Sequence, residues 1–376
     1  MKKIITLNDK NNSLPLIEDR KNIYNIFFLF LMSRVLFLVF FYAIGVLSGI
    51  QYEGGSVFLQ YDGQHYFNIA MSGYTHDYQY AFFPLFPLLI RFFGLFGVAI
   101  PGILFLNHCL TLLTGVALYY TGIKVMGKTS AESFNIARLW IFSPISIATE
   151  IVYSEALFVF LTVLTYYLYK RNHYVGAGVA LGLSIATRNL GSALFFSIFI
   201  VMMYAFLKHK DWKQIANVFK LFVPATALAV LYPIYLFVKV GNWHYFLDVQ
   251  YIYWGRIRTN IFEEIIRDIS NLSETYLLFI FTYLALAVCV YVLYRGIKTR
   301  EDPILILYLI FSIWIIFSTS REIDAVSSAS FYRYLFGCSS VYLLLNRDLK
   351  YKPVIILSTV MCISTIIFFC GGAFLI

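Results

Sequence analysis

The sequence predicts an all-α polytopic membrane protein with about eleven spanning helices, and three observations predict it. Hydrophobic residues fill 60% of the 376 positions and charged residues only 13%, about half the charge of a soluble domain. Apolar runs of the length that crosses a bilayer, about 20 residues, recur from Tyr24 to the C-terminus. Lys and Arg gather in short clusters between those runs, as cytoplasmic loops do. No polar stretch leaves room for a soluble domain, so residues 1–376 read as one membrane-embedded domain.

Each element follows from run length and basic bias. Residues 1–22 are polar and carry Lys2, Lys3, Lys10, Arg20 and Lys21, which makes them a cytoplasmic tail. No small-residue cleavage site follows the apolar run Tyr24–Leu47, so it is a retained first span and not a signal peptide. Lys124/Lys128, Lys170/Arg171, Lys208/Lys210/Lys213/Lys220, Arg295/Lys298/Arg300 and Arg347/Lys350/Lys352 mark further inner loops. Two spans must then fit between successive clusters. Ala131–Tyr169 is such a pair, turning near Ser143–Glu155. Tyr174–Leu207 would reach about 51 Å as one helix, too long for a core of about 30 Å. It is therefore a hairpin turning near Arg188-Asn189. Leu221–Val238 and Tyr276–Leu293 flank an outer loop, Lys239–Thr275. Pro303–Ser318 and Phe331–Leu345 flank another, Thr319–Ser330, and Val354–Ile376 ends outside.

Ala81–Gly97 resists this scheme, because counting it as a span puts every later basic cluster on the wrong side. It also holds Pro84, Pro87 and Arg91. It is read as a helix lying at the outer interface or re-entering, within a long first outer loop of residues 48–101. The resulting topology places nineteen Lys/Arg inside and eight outside, while twelve of the twenty acidic residues fall outside.

Composition also excludes several classes. The net charge of +9 sits in loop clusters and not on a basic stripe with exposed aromatics, so nucleic acid is not an expected partner. Cys109, Cys289, Cys338, Cys362 and Cys370 all lie in apolar runs and read as five free thiols. No His/Asp/Glu spacing makes a metal set, and neither metal nor other cofactor is expected.

The unusual polar residues collect on one side of this topology. Asp62, His65, Glu150, Glu155, Arg188, Gln250, Arg256 and Arg333 all fall at or just beyond outer helix ends. Charged groups at membrane depth are costly and usually functional. In a helix Asp62, His65 and Tyr66 share a face, and a carboxylate beside an imidazole can deprotonate a hydroxyl; equally, Asp62 could only cap a short helix. Likewise Gln250, Tyr253 and Trp254 share a helical face with Arg256 at its end. Guanidinium suits a lipid phosphate, although snorkelling to a headgroup explains it as well. Glu155 and Arg188 occupy neighbouring outer turns and could simply pair. Arg333 is open to the same structural reading.

Tyr61-Asp62-Gly63-Gln64-His65-Tyr66-Phe67-Asn68-Ile69-Ala70, Gly73-Tyr74 and Ala81-Phe82-Phe83-Pro84-Leu85-Phe86-Pro87 together resemble the signature of the PIG-V-type mannosyltransferases. Ser143-Pro144 through Glu155, Arg188-Asn189-Leu190-Gly191, Phe246 to Arg256, and Arg333-Tyr334 are similar to later blocks of that family. The family usually carries Trp before the aspartate, where this chain has Tyr61. The resemblance implies a GT-C-type fold with interfacial helices in the first outer loop, and a polyprenyl- or dolichyl-phosphate sugar donor. It implies that Asp62 is the catalytic carboxylate.

These readings combine into one expectation. An inverting glycosyltransferase moves a mannose-like hexose from a lipid-phosphate donor to a glycan or glycolipid hydroxyl on the extracytoplasmic face. Asp62 is its base. Arg256 leads the residues expected to hold donor phosphate and sugar, with Arg188, Arg333, His65, Gln250, Glu155 and Tyr66. The rival is a transporter or flippase of lipid-linked or polar solutes, which should show polar groups on both sides of a central site and repeat symmetry. The short chain points to a bacterial plasma membrane, or to the endoplasmic reticulum membrane if the source is eukaryotic.

Overall fold

The first helix, α1 (Ser13–Ser48), is almost wholly apolar beyond Asn25 except for Ser33 and Arg34, and Tyr24, Phe28, Val35 and Leu38 on its surface are exposed. A helix with no polar face belongs in lipid. In the computed structural model, residues 13–48, 56–270, 272–321, 330–345 and 351–370 are described. Residues 1–12 of the predicted tail, 49–55 of the first loop, 322–329, the Arg347/Lys350 cluster and the last six residues lie outside them, as does the side chain of Cys370.

The segment after α1 is built of short pieces. A 3₁₀ turn at Ser56–Leu59 leads into α2 (Asp62–Ser72), a second 3₁₀ turn covers Asp77–Ala81, and α3 (Leu85–Gly94) follows. At ten residues α3 rises only about 15 Å, half a bilayer core. As one straight helix it is too short to cross a core of about 30 Å. Pro84 and Pro87 confine it, since proline is tolerated in a first turn and not in a helix interior. Its Phe86 and Ile90 are buried while Leu88 and Phe92 are exposed.

The bundle proper then runs through α4 (Ala99–Lys124), α5 (Ser130–Ile141), α6 (Glu155–Lys170), α7 (Tyr174–Thr187), α8 (Gly191–His209), α9 (Trp212–Ala229) and α10 (Leu231–Val240). Thr129 and Glu132 form a capping box that starts α5. The predicted hairpins are present: α5 and α6 turn through residues 142–154, and α7 and α8 through Arg188–Leu190. α9 starts earlier than its apolar run, so Lys213 and Lys220 lie on its first turns. The sequence Gly178-Val-Ala-Leu-Gly182 on α7 explains its close packing on α9. A Cβ at Gly178 would stand 2.1 Å from the Leu221 carbonyl oxygen, and one at Gly182 2.7 Å from that of Ala225. Small residues four apart let backbones approach where lipid gives no hydrophobic drive.

α5 and α6 are short, with twelve and sixteen residues, so the turn between them lies within the bundle. Residues 143–159 are buried almost without break, and backbone buried there must find partners. Val152 N–H donates to the Phe58 carbonyl at 3.0 Å, and Asn107 Nδ2 donates to the carbonyls of Ile151 and Tyr153 at 2.9 and 3.1 Å. These bonds tie the first loop and α4 to the start of α6.

The remaining elements are α11 (Tyr245–Ile252), α12 (Ile261–Ser270), α13 (Leu272–Lys298), α14 (Pro303–Phe317), α15 (Phe331–Phe336), α16 (Ser340–Leu343) and α17 (Tyr351–Cys370). Two three-residue strands, β1 (Arg256–Arg258) and β2 (Thr319–Arg321), pair antiparallel with Arg256 opposite Arg321 and Arg258 opposite Thr319. The predicted span Phe331–Leu345 is broken into α15 and α16 at Gly337–Ser339. It is buried almost throughout, which is where irregular backbone is tolerated at membrane depth. Among the described residues five stretches are long and apolar enough to cross a membrane, with shorter apolar helices beside them. The chain is a multi-pass, all-helical integral membrane protein.

Candidate active site

Asp62 owes its position to a turn. Gly63 N–H donates to the Gln60 carbonyl at 3.0 Å, closing a β-turn with Tyr61 at φ 52° and ψ −120°. That region favours glycine, and holding a tyrosine there costs on the order of 1–3 kcal/mol. Gly63 itself packs closely, since a Cβ would lie 3.2 Å from the Phe58 carbonyl and 3.3 Å from that of Val152. The Asp-Gly pair thus sets the first residue of α2 directly against the α5–α6 turn.

There Asp62 meets residues from remote helices. Arg333 Nη2, on α15, donates to Asp62 Oδ2 at 2.8 Å. Arg333 Nε lies 3.2 Å from Glu155 Oε1, at the start of α6. The same carboxylate pairs with Arg188, at the α7–α8 turn. Arg188 also reaches Ser154 Oγ at 3.4 Å, and that hydroxyl shares a 3.0 Å hydrogen bond with Tyr66. The Arg333 guanidinium lies over the rings of Tyr153 and Tyr334 at 4.9 and 5.0 Å, and Arg188 lies over Tyr334 at 4.8 Å. Two carboxylates and two guanidiniums form a neutral quartet. Its Arg333 side chain is 2% exposed, Glu155 3%, Arg188 15% and Asp62 25%. Asp62 is its accessible member.

A cavity of about 1430 Å³ opens beside the quartet. Asp62, His65, Tyr66, Arg188, Gln250, Arg256 and Arg333 all line it, so one cavity gathers seven of the eight site residues picked from sequence. Glu155 stands behind the wall. Arg258 and Tyr334 also line the cavity and were not picked. The signal for Arg258 was its spacing two residues from Arg256, which matters only on a strand.

Several expectations about partners change. α11 ends at Ile252, and Gly255 at φ 58° turns the chain into β1, so Arg256 is a strand residue and not the end of a helical face. Tyr253 donates to Asp77 Oδ2 at 2.9 Å, and Trp254 Nε1 donates to the Tyr78 carbonyl at 3.0 Å. These aromatics join the 245–258 segment to the first loop. His65 is not hydrogen-bonded to Asp62. Its ring packs among Tyr78, Phe82 and Trp254 at 5.1–5.4 Å, and its Nδ1 is buried without a hydrogen-bond partner. Desolvation by these rings lowers its pKa, against a weaker opposing pull from Asp62. Tyr66 turns to Ser154 and is 5% exposed. Glu150 does not join the cavity; it pairs with Arg34 of α1, with His108 Nδ1 3.8 Å away. Among the described residues no group of His, Cys, Asp and Glu is placed to hold a metal.

Residues 50–206, which contain Asp62, Glu155 and Arg188, match the mannosyltransferase (PIG-V) family model. Over that segment the chain is similar to the PIG-V-type mannosyltransferases. It is 29% identical over 158 residues to GPI alpha-1,6-mannosyltransferase 2 of Cricetulus griseus, covering 39% of this chain and 30% of that protein. The corresponding protein of Homo sapiens is 32% identical over 129 residues, 31% of this chain and 24% of its own length. The match thus spans less than a third of these relatives. No solved structure matches. Arg256, Arg258 and Arg333 lie beyond the matched segment, so the cavity is completed by chain outside it.

Proposed function

We propose that this protein is a hexosyltransferase that moves a mannose-like sugar from a polyprenyl- or dolichyl-phosphate donor to a hydroxyl of a glycan or glycolipid. The reading places the cavity on the extracytoplasmic face, in accord with the basic-cluster topology. The observation that carries it is the quartet, whose most exposed member, Asp62, lines a cavity shared with Arg256. The acceptor oxygen attacks the anomeric carbon while Asp62 takes its proton. The bond from that carbon to the phosphate oxygen breaks with inversion, and its electron pair leaves on the lipid phosphate. That phosphate gains negative charge at the bridging oxygen, which a guanidinium stabilises. Gln250 and Tyr66 line the same space, and Glu155 holds two guanidiniums from behind. A phosphate leaving group received by arginine needs no proton donor.

The test is donor consumption. Purified full-length protein is incubated with a panel of polyprenyl-phosphate hexoses and glycolipid acceptors. Wild type is expected to consume at least one donor in an acceptor-dependent way. Asp62→Asn that still inserts and folds should lose about 10²–10⁴-fold of that rate, the range for a general base. Full transfer by Asp62→Asn refutes the assignment.

A further inference from the structure

The cavity carries four arginines in two different electrostatic states. Arg188 and Arg333 are committed: both contact Glu155, Arg333 also contacts Asp62, and the set sums to zero charge. Arg333 is 2% exposed, so an incoming phosphate cannot replace its partners without moving the wall. Arg256 and Arg258 are different. Arg256 makes one long contact, from Nη1 to Thr319 Oγ1 at 3.4 Å. Arg258 is exposed, and neither has an ion-pair partner among the described residues. They stand two apart on β1, and alternate strand residues share a face. β2 holds that strand in register, with Thr319 opposite Arg258. The lining acid on this side, Asp248, is occupied by Asn242 at 2.7 Å and His244 at 3.2 Å.

Resting on the transferase reading above, we propose that the β1 pair Arg256 and Arg258 forms the station for the donor's phosphate, while Arg188 and Arg333 position Asp62. The division follows from charge. A neutral, desolvated quartet offers an anion no net attraction, whereas two guanidiniums on one strand face, without an ion-pair partner among the described residues, offer it charge and paired donors. Arg333 in turn fixes the direction of the Asp62 carboxylate. Arg188 steadies Arg333 through their shared Glu155 oxygen. Arg258 is thereby a phosphate ligand, and Arg333 a positioning residue.

The test separates binding from transfer. Full-length protein in phosphatidylcholine nanodiscs is titrated with a short-chain polyprenyl monophosphate, and with the neutral polyprenol, from 50 to 500 mM NaCl. Wild type is expected to prefer the monophosphate and to lose affinity as salt rises. Arg256→Gln and Arg258→Gln should each weaken monophosphate binding about tenfold, while Arg258→Lys restores part of it. Arg91→Gln, which removes the same charge from α3 away from the cavity, should change it less than twofold. In transfer assays Arg258→Gln should raise the donor KM more than it lowers kcat, and Arg333→Lys the reverse. Undiminished monophosphate binding by the Arg256→Gln/Arg258→Gln double variant overturns the station and leaves the transferase reading standing. Equal binding of monophosphate and polyprenol by wild type overturns both.

Discussion

Replacing Glu155 by Gln tests the quartet at its most buried joint. The substitution keeps the shape of the side chain and removes the charge that both Arg188 and Arg333 contact. Arg333 then keeps Asp62 at 2.8 Å, while Arg188 keeps only the 3.4 Å contact to Ser154 and the Tyr334 ring. The cluster passes from neutral to a net positive charge in a site where Arg333 is 2% exposed. At an effective dielectric of 20, a pair 3.2 Å apart attracts by about 5 kcal/mol before desolvation is counted. Measured losses on breaking buried pairs are about 3–5 kcal/mol, and polar contacts within membranes run lower, up to about 1.7 kcal/mol. A loss of about 2–4 kcal/mol follows, since this site lies among buried polar groups and not against lipid. The assay is thermal unfolding in detergent, followed by tryptophan fluorescence, with a fall of several degrees expected. Adding Arg188→Gln to Glu155→Gln removes the orphaned cation and should recover part of the loss. A midpoint within 1 °C of wild type for Glu155→Gln refutes the claim that this carboxylate holds the site together.

Other outcomes follow from single features. Gly178→Ala should cost about 1–3 kcal/mol, because its Cβ would stand 2.1 Å from the Leu221 carbonyl; Gly176→Ala, whose Cβ meets only Leu168 Cδ1 at 3.4 Å, should be neutral or slightly stabilising in the same melt. His65 has a lowered pKa in the folded chain, so the unfolded chain binds more protons as pH falls below about 6.5. Stability should therefore drop from there toward the folded pKa, and His65→Gln should flatten that limb of a melting-temperature profile. Arg34→Leu or Glu150→Leu alone should destabilise, whereas the Leu/Leu double variant should recover most of the loss, as replacing a buried ion pair by apolar residues often does; equal melts for single and double variants would refute the coupling.

Much of the scaffold was legible because lipid imposes simple rules. Run length located the five described stretches long and apolar enough to cross a membrane, and Ala81–Gly97, which the charge argument left out of the span count, holds a helix of only ten residues, α3. What failed to show was structure without a period. β1 and β2 are three residues each, too short for an alternation signal, so Arg256 was assigned to a helix end. The break in Phe331–Leu345 was hidden because Gly337, Ser339 and Ser340 are each tolerated within an apolar helical run. Pairings were less legible still. Arg333 and Asp62 are 271 residues apart, and nothing local in either neighbourhood encodes the other. The sequence indicated which residues were out of place in a membrane, not which of them would meet. Arg34 and Glu150 illustrate the limit, since Glu150 was grouped with the polar residues at outer helix ends and ties α1 to the α5–α6 turn.

The quartet also shows what a carboxylate at this depth needs around it. Burying an unpaired charge is costly. Arg333 donates to Asp62 at 2.8 Å, but one arginine against one carboxylate would leave the buried guanidinium poorly fixed, with its remaining N–H groups turned toward rings. Glu155 supplies the second anchor, and Arg188 then balances Glu155. Each charge is thus required by the one before it, beginning with Asp62 and ending at the α7–α8 turn. The chain of partners stops there because Ser154 and the Tyr334 ring satisfy Arg188 without adding charge. On this argument Arg188, Glu155 and Arg333 are consequences of holding Asp62 at a largely buried site. Arg256 and Arg258, on β1, stand outside that chain of partners and have no ion-pair partner among the described residues.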